Sequence, residues 1–249
     1  MCFSASPSFI AGAGLLTASA CIFKYKKVNN NEKLVALLPA LFAIQQVSEW
    51  LVWLGIDGIL PHWFKLQATY IFGIFAISIW PVYFSLSMFY FERSNSLKKI
   101  LSVLLIVGTV VSLLGLIFII TFDADAYVSC ENLKCSPIIY NYQAKEIYFT
   151  KNFVSNILEN DFFGFTNTLL ILLYNICVLL PFFITKNKIL RYCFAPLLLF
   201  SVPVSDLITR NVGGFPSVWC FCAAILSCLV IFAFEKKQKF SSKYSIVEL

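Results

Sequence analysis

Gln45-Gln46-Val47-Ser48-Glu49-Trp50-Leu51-Val52-Trp53 lies inside an apolar run from Leu34 to Leu54. A run of this length crosses a bilayer as a single helix, which takes about 20 residues. A carboxylate in hydrocarbon costs about 2–3 kcal/mol or more, so such groups face a bundle interior or a cavity. On a helix Gln45, Glu49 and Trp53 recur every fourth residue and share one face, with Gln46 and Trp50 beside it. The stretch therefore predicts a polar seam walled by indole rings inside a bundle of apolar helices.

Composition agrees. The chain has 249 residues, 59% hydrophobic and 13% charged, and its mean hydropathy of +0.81 excludes an ordinary soluble domain. The net charge of +6 comes from short basic clusters between apolar runs, which read as topology signals rather than a nucleic-acid surface. No basic residue precedes the first apolar run and no small-residue cleavage site follows it, so no secretory signal peptide is expected. Nine cysteines lie mostly in apolar runs, where a thiol behaves as a small buried hydrophobe.

Seven spans are expected: Cys2–Phe23, Leu34–Leu54, Gln67–Phe91, Ile100–Phe122, Phe162–Ile184, Tyr192–Ile208 and Phe215–Phe234. The sixth is the weakest, being short and carrying Pro196 and Pro203. With alternating loops, fourteen Lys and Arg fall on one side and five on the other. That asymmetry puts the N-terminus outside and the tail in the cytoplasm. The expected architecture is a single all-α transmembrane domain over 1–249, a seven-transmembrane-helix bundle. Residues 123–161 form a small outer cap between spans four and five, and 235–249 a basic cytoplasmic tail. The bacterial inner (plasma) membrane is the expected location.

This topology brings distant residues to one depth. Cys2 and Ser4 stand at the outer end of span one, Gln45 to Trp53 in the outer half of span two, and His62 in the loop beyond. Asp206 and Arg210 are placed to pair at the outer end of span six. Ser217, Trp219 and Cys220 open span seven from the same side. Ser4, Ser8 and Gly12 form a small-residue stripe for close helix contact, and Ser217, Cys220, Ala224 and Ser227 or Cys228 another. Trp80-Pro81 in mid-span three predicts a kink or local unwinding, as Pro39 does in span two. In the outer segment, Ala126 to Ser129 and Ile138 to Tyr142 read as short strands. Cys130 and Cys135 there suit a local disulfide better than a metal site.

The opening Met1-Cys2-Phe3-Ser4-Ala5 resembles an uncharacterised family of mostly bacterial integral membrane proteins that begin Met-Cys-Phe-Ser-Ala. The likeness extends to Leu38-Pro39, Gln45-Gln46, Glu49, Trp53, Trp80-Pro81 and Ser217-Val218-Trp219-Cys220-Phe221. It departs at Trp50, where the family pattern has glycine. The resemblance implies a shared multi-span fold and carries no activity.

Two classes of function remain open. A binding, sensing or transport protein would use Cys2, Ser4, Gln45, Gln46, Glu49, Trp53, Ser217, Trp219 and Cys220 as an outward-facing pocket for a small or amphipathic ligand. A membrane enzyme acting on lipid would use Cys2 and Glu49 as its catalytic pair. Loss of Met1 would give Cys2 a free α-amine beside its thiol, a base with a nucleophile or an N,S metal chelate. Against these stand structural readings, with Cys2 a small residue at a helix terminus and Glu49 a carboxylate bonded within the bundle. His62 reads as a solvated loop residue, and the basic tail as an anchor on anionic lipid. One histidine cannot supply two axial imidazoles to a haem, and span seven has no lysine for a retinal Schiff base. Multi-histidine zinc hydrolases, nucleotide motifs and nucleic-acid modules are also disfavoured. Lack of a complete nucleophile, base and oxyanion set favours the first class. The expected partners are the lipid bilayer and a lipid or small-molecule ligand, with no nucleic acid, and no cofactor is identified.

Overall fold

A computed structural model describes residues 4–26, 28–128, 130–131, 134–135, 138–144, 161–209 and 215–230. Cys2, Arg210 and the tail 235–249 lie outside the described residues. The chain is predominantly helical. It runs through α1 (Ala5–Tyr25), α2 (Lys33–Ala36), α3 (Leu38–Ile56), α4 (His62–Gly73), α5 (Trp80–Phe91), α6 (Asn95–Thr121), α7 (Asp161–Ile184), α8 (Ala195–Thr209) and α9 (Phe215–Ser227). Among the described residues five stretches are long and apolar enough to cross a membrane: Ala5–Tyr25, Asn30–Ile56, His62–Phe91, Asn95–Thr121 and Leu190–Leu207. Leu169–Ile184 and Ser217–Ser227 are apolar but shorter. The expectation of seven spans thus holds only in its coarser form, an apolar helical protein with five helices of spanning length.

α6 shows why its solvent cannot be water. Val103, Ile106, Val110, Leu113, Ile117 and Ile120 form an exposed stripe at helical spacing. On its other face Leu101, Leu104, Gly108, Val111, Ser112, Gly115 and Ile119 are buried. A stripe this long on a soluble monomer would drive association, whereas in hydrocarbon it costs nothing.

Both expected proline distortions take a definite form. A turn at Leu37 separates α2 from α3, and Pro39 stands in the first turn of α3, where its missing N–H has no helical acceptor to lose. In the third span a wide π-helical segment, Ile74–Ile79, precedes α5, and Pro81 sits in the first turn of that helix. Pro81 cannot donate to the Ile77 carbonyl, so that turn widens. α6 closes on the widened backbone through its two small residues. A Cβ added to Gly108 would meet the Pro81 carbonyl oxygen at 2.5 Å, and one on Gly115 would meet the Ile77 oxygen at 3.0 Å. Ser78 completes the contact by donating its hydroxyl to the Ser112 carbonyl at 2.8 Å.

The small-residue stripes pack as the spacing indicates, with one exception. Ser8, Gly12, Leu15, Ser19 and Ile22 are buried along α1, but Ser4 is exposed at its N-cap. Across the interface Gly12 lies against α3, where a Cβ would meet Val47 Cγ2 at 3.1 Å. On α9, Ser217, Cys220, Ala224 and Ser227 are all buried. His62 is a correction: it begins α4 and is exposed there, because Pro61 at the N-cap ends the loop one residue earlier.

The outer segment forms an antiparallel hairpin of β1 (Phe122–Tyr127) and β4 (Ile139–Ala144), in which Ala126 pairs with Tyr140. Between them β2 (Cys130–Glu131) and β3 (Lys134–Cys135) make a two-residue ladder that sets Cys130 opposite Cys135. The side chains of these two cysteines lie outside the described ones, and among the described residues no cysteine is disulfide-bonded. The hairpin sits on the ends of α3 and α4. Ala126 and Ile138 pack with Val52, Trp53 and Ala68, and Tyr140 stacks on Phe72 with ring centres 4.2 Å apart. Lys65 ties down the edge, donating to Asp125 Oδ1 at 2.9 Å and to the Ala126 carbonyl at 3.2 Å.

Candidate functional site

The polar seam of α3 faces inward. Gln45, Gln46 and Glu49 are fully buried, and Trp53 is 4% exposed. Four-residue spacing puts Gln45, Glu49 and Trp53 on one face, and α9 packs against it.

Gln45 ties three helices together. Its Nε2 donates to Cys220 Sγ on α9 at 2.9 Å, and its Oε1 accepts the indole N–H of Trp80 on α5 at 2.9 Å. Trp80 is itself fully buried, stacked on Phe42 with centroids 4.1 Å apart and on Phe84 at 5.2 Å. Both ends of the Gln45 amide are thus satisfied in a site with no exposure to solvent.

One turn further along α3, Glu49 Oε1 accepts the hydroxyl of Ser217 from the first turn of α9. Its second oxygen has no partner. Gln46 approaches the carboxyl, but neither its nitrogen nor its oxygen completes a hydrogen bond in this geometry. From α1 comes Ser8. Its neighbour Phe9 contacts Trp50, the residue after Glu49, with ring centres 5.0 Å apart. Ser8 is fully buried with its hydroxyl unpartnered. The indole N–H groups of Trp53 and Trp219 are buried and unpartnered as well. Above Trp53 the hairpin residues Ala126 and Ile138 form an apolar roof.

Of the residues singled out from the sequence, Gln45, Gln46, Glu49, Ser217 and Cys220 come together at the contact of α3 with α9. Trp53 and Trp219 are buried on the same two helices. Ser4 is exposed and makes no part of this buried group, while Cys2 and Arg210 lie outside the described residues. Asp206 is exposed near the end of α8. Sequence reasoning assigned Trp80 only to a kink and Ser8 only to a packing stripe. The available signal was chemical: an indole N–H in hydrocarbon needs an acceptor, and few side chains in the spans can be one.

A second polar station lies at the opposite end of the bundle. Glu92, just beyond α5, is 4% exposed. Its Oε1 accepts the backbone N–H groups of Arg93 and Ser94 at 2.9 and 3.0 Å. Its Oε2 accepts the Lys186 N–H at 2.9 Å and the Thr185 hydroxyl at 3.2 Å. Burial works to raise the Glu92 pKa, but these four donors together hold it below the ordinary carboxylate value. The carboxylate therefore clamps the α5–α6 turn to the end of α7.

Among the described residues no group of three or more His, Cys, Asp or Glu side chains is arranged to hold a metal ion. Neither protein-family models, nor curated proteins, nor solved structures give a match to this chain.

Proposed function

We propose that the chain is a seven-span bundle, N-terminus outside and tail in the cytoplasm, with a ligand site around Glu49. In this reading the site binds, senses or transports a small or amphipathic molecule entering from the outer face. The fourteen-to-five division of Lys and Arg supports the orientation. We also propose a disulfide between Cys130 and Cys135 in the outer cap, where the two residues stand opposite one another across the β2–β3 ladder.

One observation carries the ligand reading. Glu49 Oε2, both ends of the Gln46 amide, and the Ser8 hydroxyl are buried without hydrogen-bond partners on adjacent helices. Each stranded group costs about 1–3 kcal/mol, and buried polar atoms in folded proteins are paired in the great majority of cases. A purely structural carboxyl needs no such surplus around it, as Gln45 shows by satisfying both its ends. An occupant offering a donor to Glu49 and an acceptor to the Gln46 amide would complete the set. The apolar roof of Ala126 and Ile138 over Trp53 suits a molecule with one polar end.

The test uses the full chain purified in mild detergent. A density map and mass spectrometry of the extracted material should reveal a small molecule beside Glu49. Glu49→Gln should lose that molecule while eluting and melting like the parent. Recovery of the same molecule in equal amount from the variant would overturn the proposal.

A further inference from the structure

We propose that a cavity at the other end of the bundle, beside the Glu92 clamp, binds the phosphate of an anionic phospholipid headgroup. The cavity holds about 530 Å³ and lies between the start of α6, the end of α7 and the turn beyond it. Its wall is apolar where Leu97 and Phe183 line it, and Ser94 and Ser96 line it as well. Lys186 and Arg191 complete the lining. An apolar wall, two hydroxyls and two cations match one chemical pattern, an anion attached to a hydrocarbon chain.

Among the described residues no carboxylate forms a salt bridge with Lys186 or Arg191. Glu92 stands nearby, but both its oxygens are committed to the N–H groups of Arg93, Ser94 and Lys186 and to the Thr185 hydroxyl. Those bonds leave no Glu92 oxygen to pair with either side-chain head. The same bonds hold the two turns that line the cavity at a fixed separation. The first turn of the 27-residue α6 adds its positive end, and the guanidinium fork suits phosphate oxygens.

Position separates a lipid from a soluble phosphate. The cavity stands at the ends of apolar spans, where a bilayer's headgroups lie, and, on the topology proposed above, on the face with most of the Lys and Arg. Basic pockets between helices at such a boundary take lipid headgroups. Tyr192 beside Arg191 is 65% exposed, as interfacial aromatics are.

The experiment measures lipid binding to the detergent-purified full chain by native mass spectrometry. The probes are phosphatidylglycerol, phosphatidylcholine and inorganic phosphate. Phosphatidylglycerol should bind in preference to phosphatidylcholine, and inorganic phosphate at equal concentration should not displace it. Each basic residue contributes about a fivefold factor, so Lys186→Gln with Arg191→Gln should weaken phosphatidylglycerol binding by about 25-fold and leave phosphatidylcholine unchanged. Leu97→Trp, which fills the apolar wall while keeping both cations, should weaken it too. Lys188→Gln, an exposed lysine outside the cavity, should not. Equal retention of the two lipids, displacement by inorganic phosphate, or an equal loss with Lys188→Gln would each overturn the proposal.

Discussion

Replacing Gln45 by leucine removes a side chain that joins α3, α5 and α9. Two bonds go: Nε2 to Cys220 Sγ and the Trp80 N–H to Oε1. Interhelical hydrogen bonds within membranes are worth only about 0.6–2 kcal/mol each. The larger effect is the Trp80 N–H left stranded at zero exposure, which costs about 1–3 kcal/mol. Leucine matches the volume closely, so no cavity adds to the loss. The Cys220 bond and the stranded indole together should cost about 2–5 kcal/mol, or roughly 4–20 °C in Tm for a chain of this size. A double-mutant cycle measured by thermal unfolding in detergent isolates the bond. With Trp80→Phe no N–H remains to strand, so Gln45→Leu should then cost less by about 1–2 kcal/mol. Additivity within about 0.5 kcal/mol would show that the two side chains do not act together and would refute the reasoning.

Gly108→Ala should lower stability by about 1–3 kcal/mol, because its Cβ meets the Pro81 carbonyl at 2.5 Å and backbone cannot turn aside. Gly14→Ala, with nothing within 4 Å, should be neutral or mildly stabilising in the same melting assay. Glu92 has a depressed pKa, so its clamp contributes fully above the unfolded value near 4.3 and fades as pH falls through the lower folded value. Glu92→Gln should therefore cost about 1–3 kcal/mol at neutral pH and flatten the acid limb of a stability–pH curve. An impermeant thiol reagent applied to intact cells should label Cys130 and Cys135 only after reduction, and a tag after Leu249 should resist external protease. Labelling without reduction would exclude the disulfide, and digestion of the tag would exclude the orientation.

The membrane-spanning character of this protein was legible in its residues alone. Runs such as Ile100 to Phe122 contain so little charge that no other environment suits them, and hydropathy is a local property that needs no partner. The inward face of α3 was legible for the same reason: a polar residue every fourth position within an apolar helix must turn from lipid. Strand character near Ala126 and Tyr140 was legible in short alternating stretches, but their pairing was not. What no spacing could decide was which polar group meets which. Gln45 reaches Cys220 across 175 positions and Trp80 across 35 because α3, α5 and α9 pack together. Exposure of Ser4, burial of Ser8 and the four-donor grip on Glu92 were likewise tertiary outcomes. A hydrogen bond is specified by both partners and by the distance between their backbones, and only helix packing sets that distance.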